Sequence, residues 1–190
     1  MKNKIKYILD DKKDILQKSK MYYYLCCGDE LWNDFDESWI NTWNTFYEQS
    51  WYVWSIVKSL DNYIWFVVSK DTSAALEYID RNIWKDNLED NLYKFDNNLD
   101  LKQINYIDWL YIYPEYRKLH IWSDLLKFHE NKSKSLWYQY SMLEYNTYEK
   151  IYLGKFYESN GYVKIFDYQR SNKFDTSKTK IKTLMIKKYK

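Results

Sequence analysis

The stretch "INYIDWLYIYPEYRKLHIWSDLL", residues 104–126, constrains the fold more than any other part of the chain. It opens as an almost unbroken apolar run, the pattern of a central strand covered on both faces. Pro114, the chain's one proline, ends that run, since it can donate no hydrogen bond to a sheet ladder. A short basic loop with Arg117 and Lys118 follows. Then Ile121, Trp122, Leu125, Leu126 and His129 fall on one face at helical spacing. The start of a helix offers unpaired N–H groups and a partial positive charge, which suit a phosphate. Taken alone, the segment also reads as an ordinary strand-to-helix connection with solvated basic residues.

The flanking sequence predicts alternating elements. "KIKYIL" (4–9) alternates charge with apolar residues and suits a first strand. Residues 11–24 read as a helix stopping near Gly28. Residues 36–60 place Trp39, Trp43, Phe46, Tyr47, Trp54 and Val57 at three- and four-residue steps, which predicts an amphipathic helix capped by Asp36 or Ser38. "YIWFVVS" (63–69) and "ALEYIDRNI" (75–83) predict a hairpin. Residues 84–102, rich in Asn and Asp, fit a loop or a short surface helix. A strand at 104–114, a helix at 119–131, a strand at 136–145 and a helix at 148–159 follow. Asn160-Gly161 supplies a left-handed cap to that last helix. Residues 162–170 and 180–188 close the chain as an antiparallel pair. The expected class is α/β (α+β) with a mixed, mostly antiparallel sheet flanked by helices, and one domain over 1–190.

Bulk properties narrow the function. The chain has 29 basic and 27 acidic side chains, a formal net charge of +2, so no electrostatic case exists for a dedicated nucleic-acid binder. The two cysteines, Cys26 and Cys27, are neighbours. Disulfide geometry disfavours joining them to each other, and no CxxC pair or nearby histidine makes a metal site with them. They read as thiols of a reducing compartment. The beginning has no signal-peptide core and no stretch is long enough to span a bilayer. A cytoplasmic location, with no metal and no membrane partner, is the expectation.

The run "LYIYPEYRKLHIWSDLL" resembles the central motif of the GCN5-related N-acetyltransferase (GNAT) superfamily, in which a hydrophobic-Pro-Glu-Tyr-Arg strand end leads to a pyrophosphate loop and a helix. "FYESNGY" (156–162) is similar to that family's Tyr-Glu-x-x-Gly-Phe signature. "LEY" (143–145) suits the strand before it, and "TLMIKKY" (183–189) the final strand. The resemblance implies a GNAT-like sheet with acetyl-CoA as co-substrate. Implied for its binding are Leu110 and Ile112 on the strand, then Arg117, Lys118, Leu119, His120, Ile121, Trp122 and Ser123 at the loop and helix start. His120 and Trp122 stand where the family places glycine, which admits phosphate without an obstructing Cβ. An indole there either turns back into the core, lifts the phosphates, or prevents ordinary acetyl-CoA binding.

The implied chemistry is direct attack of a primary amine, borne by a small molecule or a protein, on the thioester. Its proton would leave through a carboxylate or a relayed water. Asp108 and Glu144, on adjacent predicted strands, are the candidates. Burial of Asp108 would raise its pKa; the plainer readings are a solvent-facing strand residue or a buried acid paired with a lysine. Tyr157, four residues before Gly161, matches the tyrosine that assists departure of the thiolate. A tyrosine pKa of about 10 against about 8.5 for a thiol makes full proton transfer uphill by roughly 2 kcal/mol, so a hydrogen bond is the safer role. Two alternatives stay open: a GNAT-fold binding or inhibitory module that has lost acetyl-CoA binding, and a GNAT-like enzyme that modifies a nucleic acid. Tryptophans left exposed would favour a homodimer.

Overall fold

The computed structural model describes residues 5–9, 16, 19–20, 38, 41, 52–59, 62–71, 85–112, 121–148, 151–171 and 179–190. The elements are β1 (Ile5–Leu9), β2 (Tyr52–Ser59), β3 (Asn62–Asp71), α1 (Lys85–Phe95), a 3-10 turn at Leu101–Gln103, β4 (Ile104–Ile112), α2 (Ile121–Ser135), β5 (Tyr140–Asn146), α3 (Ile151–Ser159), β6 (Val163–Ser171) and β7 (Thr179–Lys188). The strands follow the hydrogen-bonded order β1-β2-β3-β4-β5-β7-β6. β1–β2, β5–β7 and β6–β7 are antiparallel, and β4–β5 is parallel. This is the mixed, mostly antiparallel α/β sheet expected. Among the described residues no helix is long and apolar enough to cross a membrane, and no group of three metal-ligating side chains occurs.

The chain forms two compact units, residues 1–69 with 109–129, and residues 70–108 with 130–190. In the first, β1 pairs with β2 from Ile5↔Ser59 to Leu9↔Ser55. Residues 36–60 are therefore not one helix, although Ser38 and Asn41 are helical. "YVWSIVKS" is rich in β-branched and aromatic residues, which suit a pleated surface, and the neighbouring strand β1 settled a short run whose periodicity fits both templates. The hairpin of 63–69 with 75–83 is also corrected. The neighbours of β3 are β2 and β4, with only Leu60 and Asp61 between β2 and β3, while 75–83 lie outside the described residues. Of the helix expected at 11–24, Leu16, Ser19 and Lys20 are helical and the rest, like Cys26 and Cys27, lies outside.

In the second unit one core joins Leu88 and Leu92 of α1 to Ile104, Tyr106, Tyr140, Met142, Leu184 and Ile186. Residues 104/106, 140/142 and 184/186 are alternate residues of three adjacent strands, so this sheet face is apolar and lies under α1. The opposite face presents Asn105, Ser141, Leu143, Thr183 and Met185, all buried. There the hydroxyl of Tyr162 donates to Glu130 Oε1 at 3.0 Å and accepts from the Ser141 hydroxyl at 2.8 Å, and Lys187 Nζ pairs with Glu130 at 2.5 Å. A buried carboxylate is tolerated because each oxygen has a donor.

Two helix ends carry the same cap. At the end of α3, Tyr162 N–H donates to Tyr157 C=O at 3.0 Å and Gly161 N–H to Glu158 C=O at 2.9 Å, with Gly161 at φ +88°. The Tyr157 and Tyr162 rings meet edge-on at 5.7 Å, the side-chain contact that accompanies such a cap. At the end of α2 the same pair of bonds runs from Tyr138 to Ser133 and from Trp137 to Lys134, but the left-handed residue is Trp137, φ +71°. The strand expected from 136 accordingly begins only at Tyr140. Trp137 is 88% exposed, so little packing offsets the strain of that conformation. Trp137→Gly should stabilise the protein by about 0.5–1 kcal/mol, visible as a higher urea midpoint. An unchanged or lower midpoint would show that the ring's contacts outweigh the strain.

Candidate active site

In the second unit the parallel ladder runs through Ile104↔Tyr140, Asn105↔Ser141, Tyr106↔Met142 and Ile107↔Leu143. β4 continues to Ile112 and β5 to Asn146. Asp108 and Glu144 are the next residues after that register. Both share the parity of Tyr106 and Met142 and lie on the face covered by α1.

Neither acid stands alone. Lys70 Nζ lies 3.0 Å from Asp108 Oδ2, with side-chain exposures of 6% and 14%, and 5.7 Å from the centre of the Tyr106 ring. Of the readings open for Asp108, the structure gives the acid paired with a lysine. Glu144 takes Lys182 Nζ on Oε1 at 3.3 Å and the hydroxyl of Tyr168 on Oε2. The strand register explains that set. Glu144 pairs with Leu184, Tyr168 pairs with Lys182, and alternate residues of a strand share a face, so the three polar groups meet across β5, β7 and β6.

Tyr157 sits on α3 against the other face. Its ring lies 6.1 Å from that of Tyr145 and 5.2 Å from that of Phe156. Tyr145 has the opposite parity to Glu144 on β5. Its hydroxyl presses on the backbone of α3 at Gly154, where a Cβ would come within 2.5 Å of it. A glycine inside a helix costs about 1 kcal/mol; here it lets β5 approach α3 one turn before Tyr157. Burial, with the neighbouring Tyr152 and Tyr145 hydroxyls, raises the Tyr157 pKa well above its ordinary value. A phenol in that state donates a hydrogen bond and keeps its proton.

The residues expected to hold the coenzyme divide differently. Leu110 is half-buried on β4, and Ile112 ends that strand. Arg117, Lys118, Leu119 and His120 lie outside the described residues. Ile121 opens α2 and is buried, with Trp122 and Ser123 half-buried behind it. The indole nitrogen of Trp122 is buried, so the ring lies against the protein and does not stand out from the helix mouth. Asp124 occupies the same first turn and accepts from the Tyr7 hydroxyl at 3.5 Å. A carboxylate there competes with an incoming anion for the helix dipole.

Lys70, Lys182, Tyr168 and Tyr145 were not legible as site residues. Lys70 and Asp108 are 38 positions apart, and no spacing links them. The alternation in "VKIFDYQR" and "KIKTLMIKK" places Tyr168 and Lys182 on one face once the register is known, and that was the only signal available.

No protein-family model matches the chain and no curated protein does. Solved structures do. The acetyltransferase of GNAT family from Streptococcus pneumoniae superposes with a TM-score of 0.66 at 13% identity, over 97% of this chain and 99% of that one. The spermidine N-acetyltransferase SpeG chimera from Vibrio cholerae and hSSAT gives 0.67 at 11%, over 97% and 95%. yncA from Salmonella typhimurium, solved with its cofactor acetyl-CoA, gives 0.64 at 12%, over 98% and 94%. With its strand order, its parallel β4–β5 pair and these likenesses along nearly its whole length, the chain has the fold of the GNAT-family acetyltransferases.

Proposed function

We propose that the protein is an N-acetyltransferase that moves an acetyl group from acetyl-CoA to a primary amine. The observation that carries this reading is the arrangement beyond the β4–β5 register. Two carboxylates, Asp108 and Glu144, lie on one face, and the hydroxyl-bearing Tyr157 is held against the other. In a direct transfer the amine nitrogen bonds to the thioester carbonyl carbon, the C–S bond breaks, and charge moves to sulfur. A carboxylate on the amine's side orients the nucleophile and passes its proton to water. A phenol on the thiolate's side stabilises the leaving charge by a hydrogen bond. Backbone N–H groups of β4 around Leu110–Ile112 and of the first turn of α2 are the groups suited to hold the coenzyme, with Arg117 as its cation.

The acceptor amine reacts as the neutral species, whose lone pair attacks the carbonyl carbon. The two acids and two lysines of the cluster sum to zero charge, which gives this cluster no excess negative charge to attract a polycation. The acceptor class that fits is a single amine on a small molecule or a protein.

Isothermal titration with acetyl-CoA tests the reading. Saturable binding should weaken by about tenfold or more in Arg117→Ala, the loss of one charge-assisted contact. No heat at millimolar coenzyme would favour a GNAT-fold binding module instead. The Asp124 carboxylate in α2's first turn, with His120 and Trp122 at the glycine positions, supports that second reading.

A further inference from the structure

We propose that the end of the sheet where β4 and β5 begin is a peripheral docking surface for an anionic lipid membrane, with Leu136 and Trp137 as its apolar tip. The two residues follow directly on α2, which ends at Ser135. Trp137 is 88% exposed and Leu136 43%. Trp137 also holds a left-handed backbone, φ +71°, which glycine adopts without strain. A strained side chain left in water adds little to the fold, and strain of that kind collects where a surface has a task.

The surroundings set the charge of the partner. Gln139 N–H donates to Gln103 C=O at 2.9 Å and Tyr189 N–H to Gln139 C=O at 2.8 Å, so Lys102 and Lys190 flank the start of β5. Lys132 and Lys134 lie in the last turn of α2, and Lys134 Nζ donates to Lys190 C=O. Lys102, Lys134 and Lys190 are exposed and Lys132 is half-buried. Two acids stand among them. Asp96 is held by Lys188 and Tyr140, and the exposed Asp100 accepts from the backbone of Lys102, which leaves this end basic. A second copy of the chain, docked on a two-fold axis, would set these lysines against their own copies. A nucleic acid would use the lysines and the indole but not Leu136. A lipid surface uses all three. The indole suits the headgroup level, the leucine enters the acyl boundary, and anionic headgroups attract lysines whose stems lie along apolar surface. Such a contact needs no spanning helix; the expectation of no membrane partner rested on spanning stretches alone. Asp108 and Glu144 lie four residues further along β4 and β5, about 13 Å away, so docking here leaves that end of the strands uncovered.

Co-sedimentation of the full chain with lipid vesicles is the test, using phosphatidylcholine alone and phosphatidylcholine with about a third phosphatidylserine. At low salt the chain should bind the anionic vesicles about tenfold or more tightly than the neutral ones, and raising the salt to about 0.3 M should weaken that binding by about tenfold. Trp137→Gly should bind about tenfold more weakly although its urea midpoint rises. A variant that folds better and docks worse cannot owe its loss to unfolding. Leu136→Ser and the double variant Lys102→Gln/Lys134→Gln, both at exposed positions, should each lose about threefold or more with wild-type urea midpoints. No co-sedimentation with anionic vesicles at low salt overturns the proposal, as does a Trp137→Gly chain that binds like the wild type. Equal binding to neutral and anionic vesicles overturns the part given to the lysines. Tighter binding to a single-stranded uridine oligonucleotide than to the vesicles overturns the lipid assignment in favour of a nucleic acid. A dimer in analytical ultracentrifugation that Trp137→Gly dissolves overturns it in favour of a second copy of the chain.

Discussion

Acidification from pH 7 to pH 5 should cost the folded protein about 2 kcal/mol through one side chain, His129. The imidazole is fully buried and bridges two strands, with Nδ1 2.8 Å from Ser55 Oγ and Nε2 2.8 Å from Ser69 Oγ. A neutral ring donates from one nitrogen and accepts at the other, so one serine accepts and the other donates. Burial lowers its pKa from the ordinary 6.5 to about 3, because the charged ring would have to leave water. The unfolded chain takes up a proton near pH 6.5, while the folded chain resists until about pH 3. The stabilisation is therefore complete above the unfolded pKa and is lost as the pH falls from about 6.5 towards 3. Urea unfolding at the two pH values, on the wild type and on His129→Gln, measures it. The variant should lose about 2 kcal/mol less than the wild type over that interval; equal losses would sink the assignment.

Tyr157→Phe should reduce kcat by a hundredfold or more, of order the loss of one donor to a developing anion, while acetyl-CoA binding stays within about twofold. Packing survives the change, because the ring contacts with Tyr145, Phe156 and Tyr162 are made by carbon. That separates the hydroxyl's chemistry from the ring's structural part. With its pKa raised by burial, the phenol in this proposed role would stabilise the thiolate by a hydrogen bond and keep its proton. The rate should accordingly show no basic limb from this tyrosine below pH 10. A phenylalanine variant with wild-type kcat would reduce Tyr157 to a core aromatic, and a variant that no longer binds coenzyme would point to a misfolded α3.

The motif residues were legible because their information is local. "FYESNGY" specifies a helix end through Asn160 and a left-handed glycine, and the cap bonds of Tyr162 and Gly161 follow from that backbone requirement. The final antiparallel pair was equally plain, since both strands alternate and only a short segment separates them. The reading of 36–60 as a helix failed for the complementary reason. Aromatics at three- and four-residue steps satisfy a helix template, but Tyr52–Ser59 also satisfies a strand, and the presence of β1 decided between them. Trp137 shows another limit: no rule of local preference puts a tryptophan at a left-handed helix cap, yet the end of α2 requires a residue there.

What the sequence by itself determined was the class of fold, the order of most elements from β4 onward, and the placing of Asp108, Glu144 and Tyr157 on neighbouring elements. Each of these depends on periodicity, turn chemistry or a compact motif, all properties of a few consecutive residues. Only the tertiary structure decided that β3 lies between β2 and β4, that Lys70 meets Asp108, that Glu144 is shared by Lys182 and Tyr168, and that His129 finds two serines. Those choices join residues 24 to 74 positions apart. A buried charge or polar atom must be compensated by whatever the packed chain brings within hydrogen-bond reach, and that partner is set by strand order and register, which no local stretch encodes.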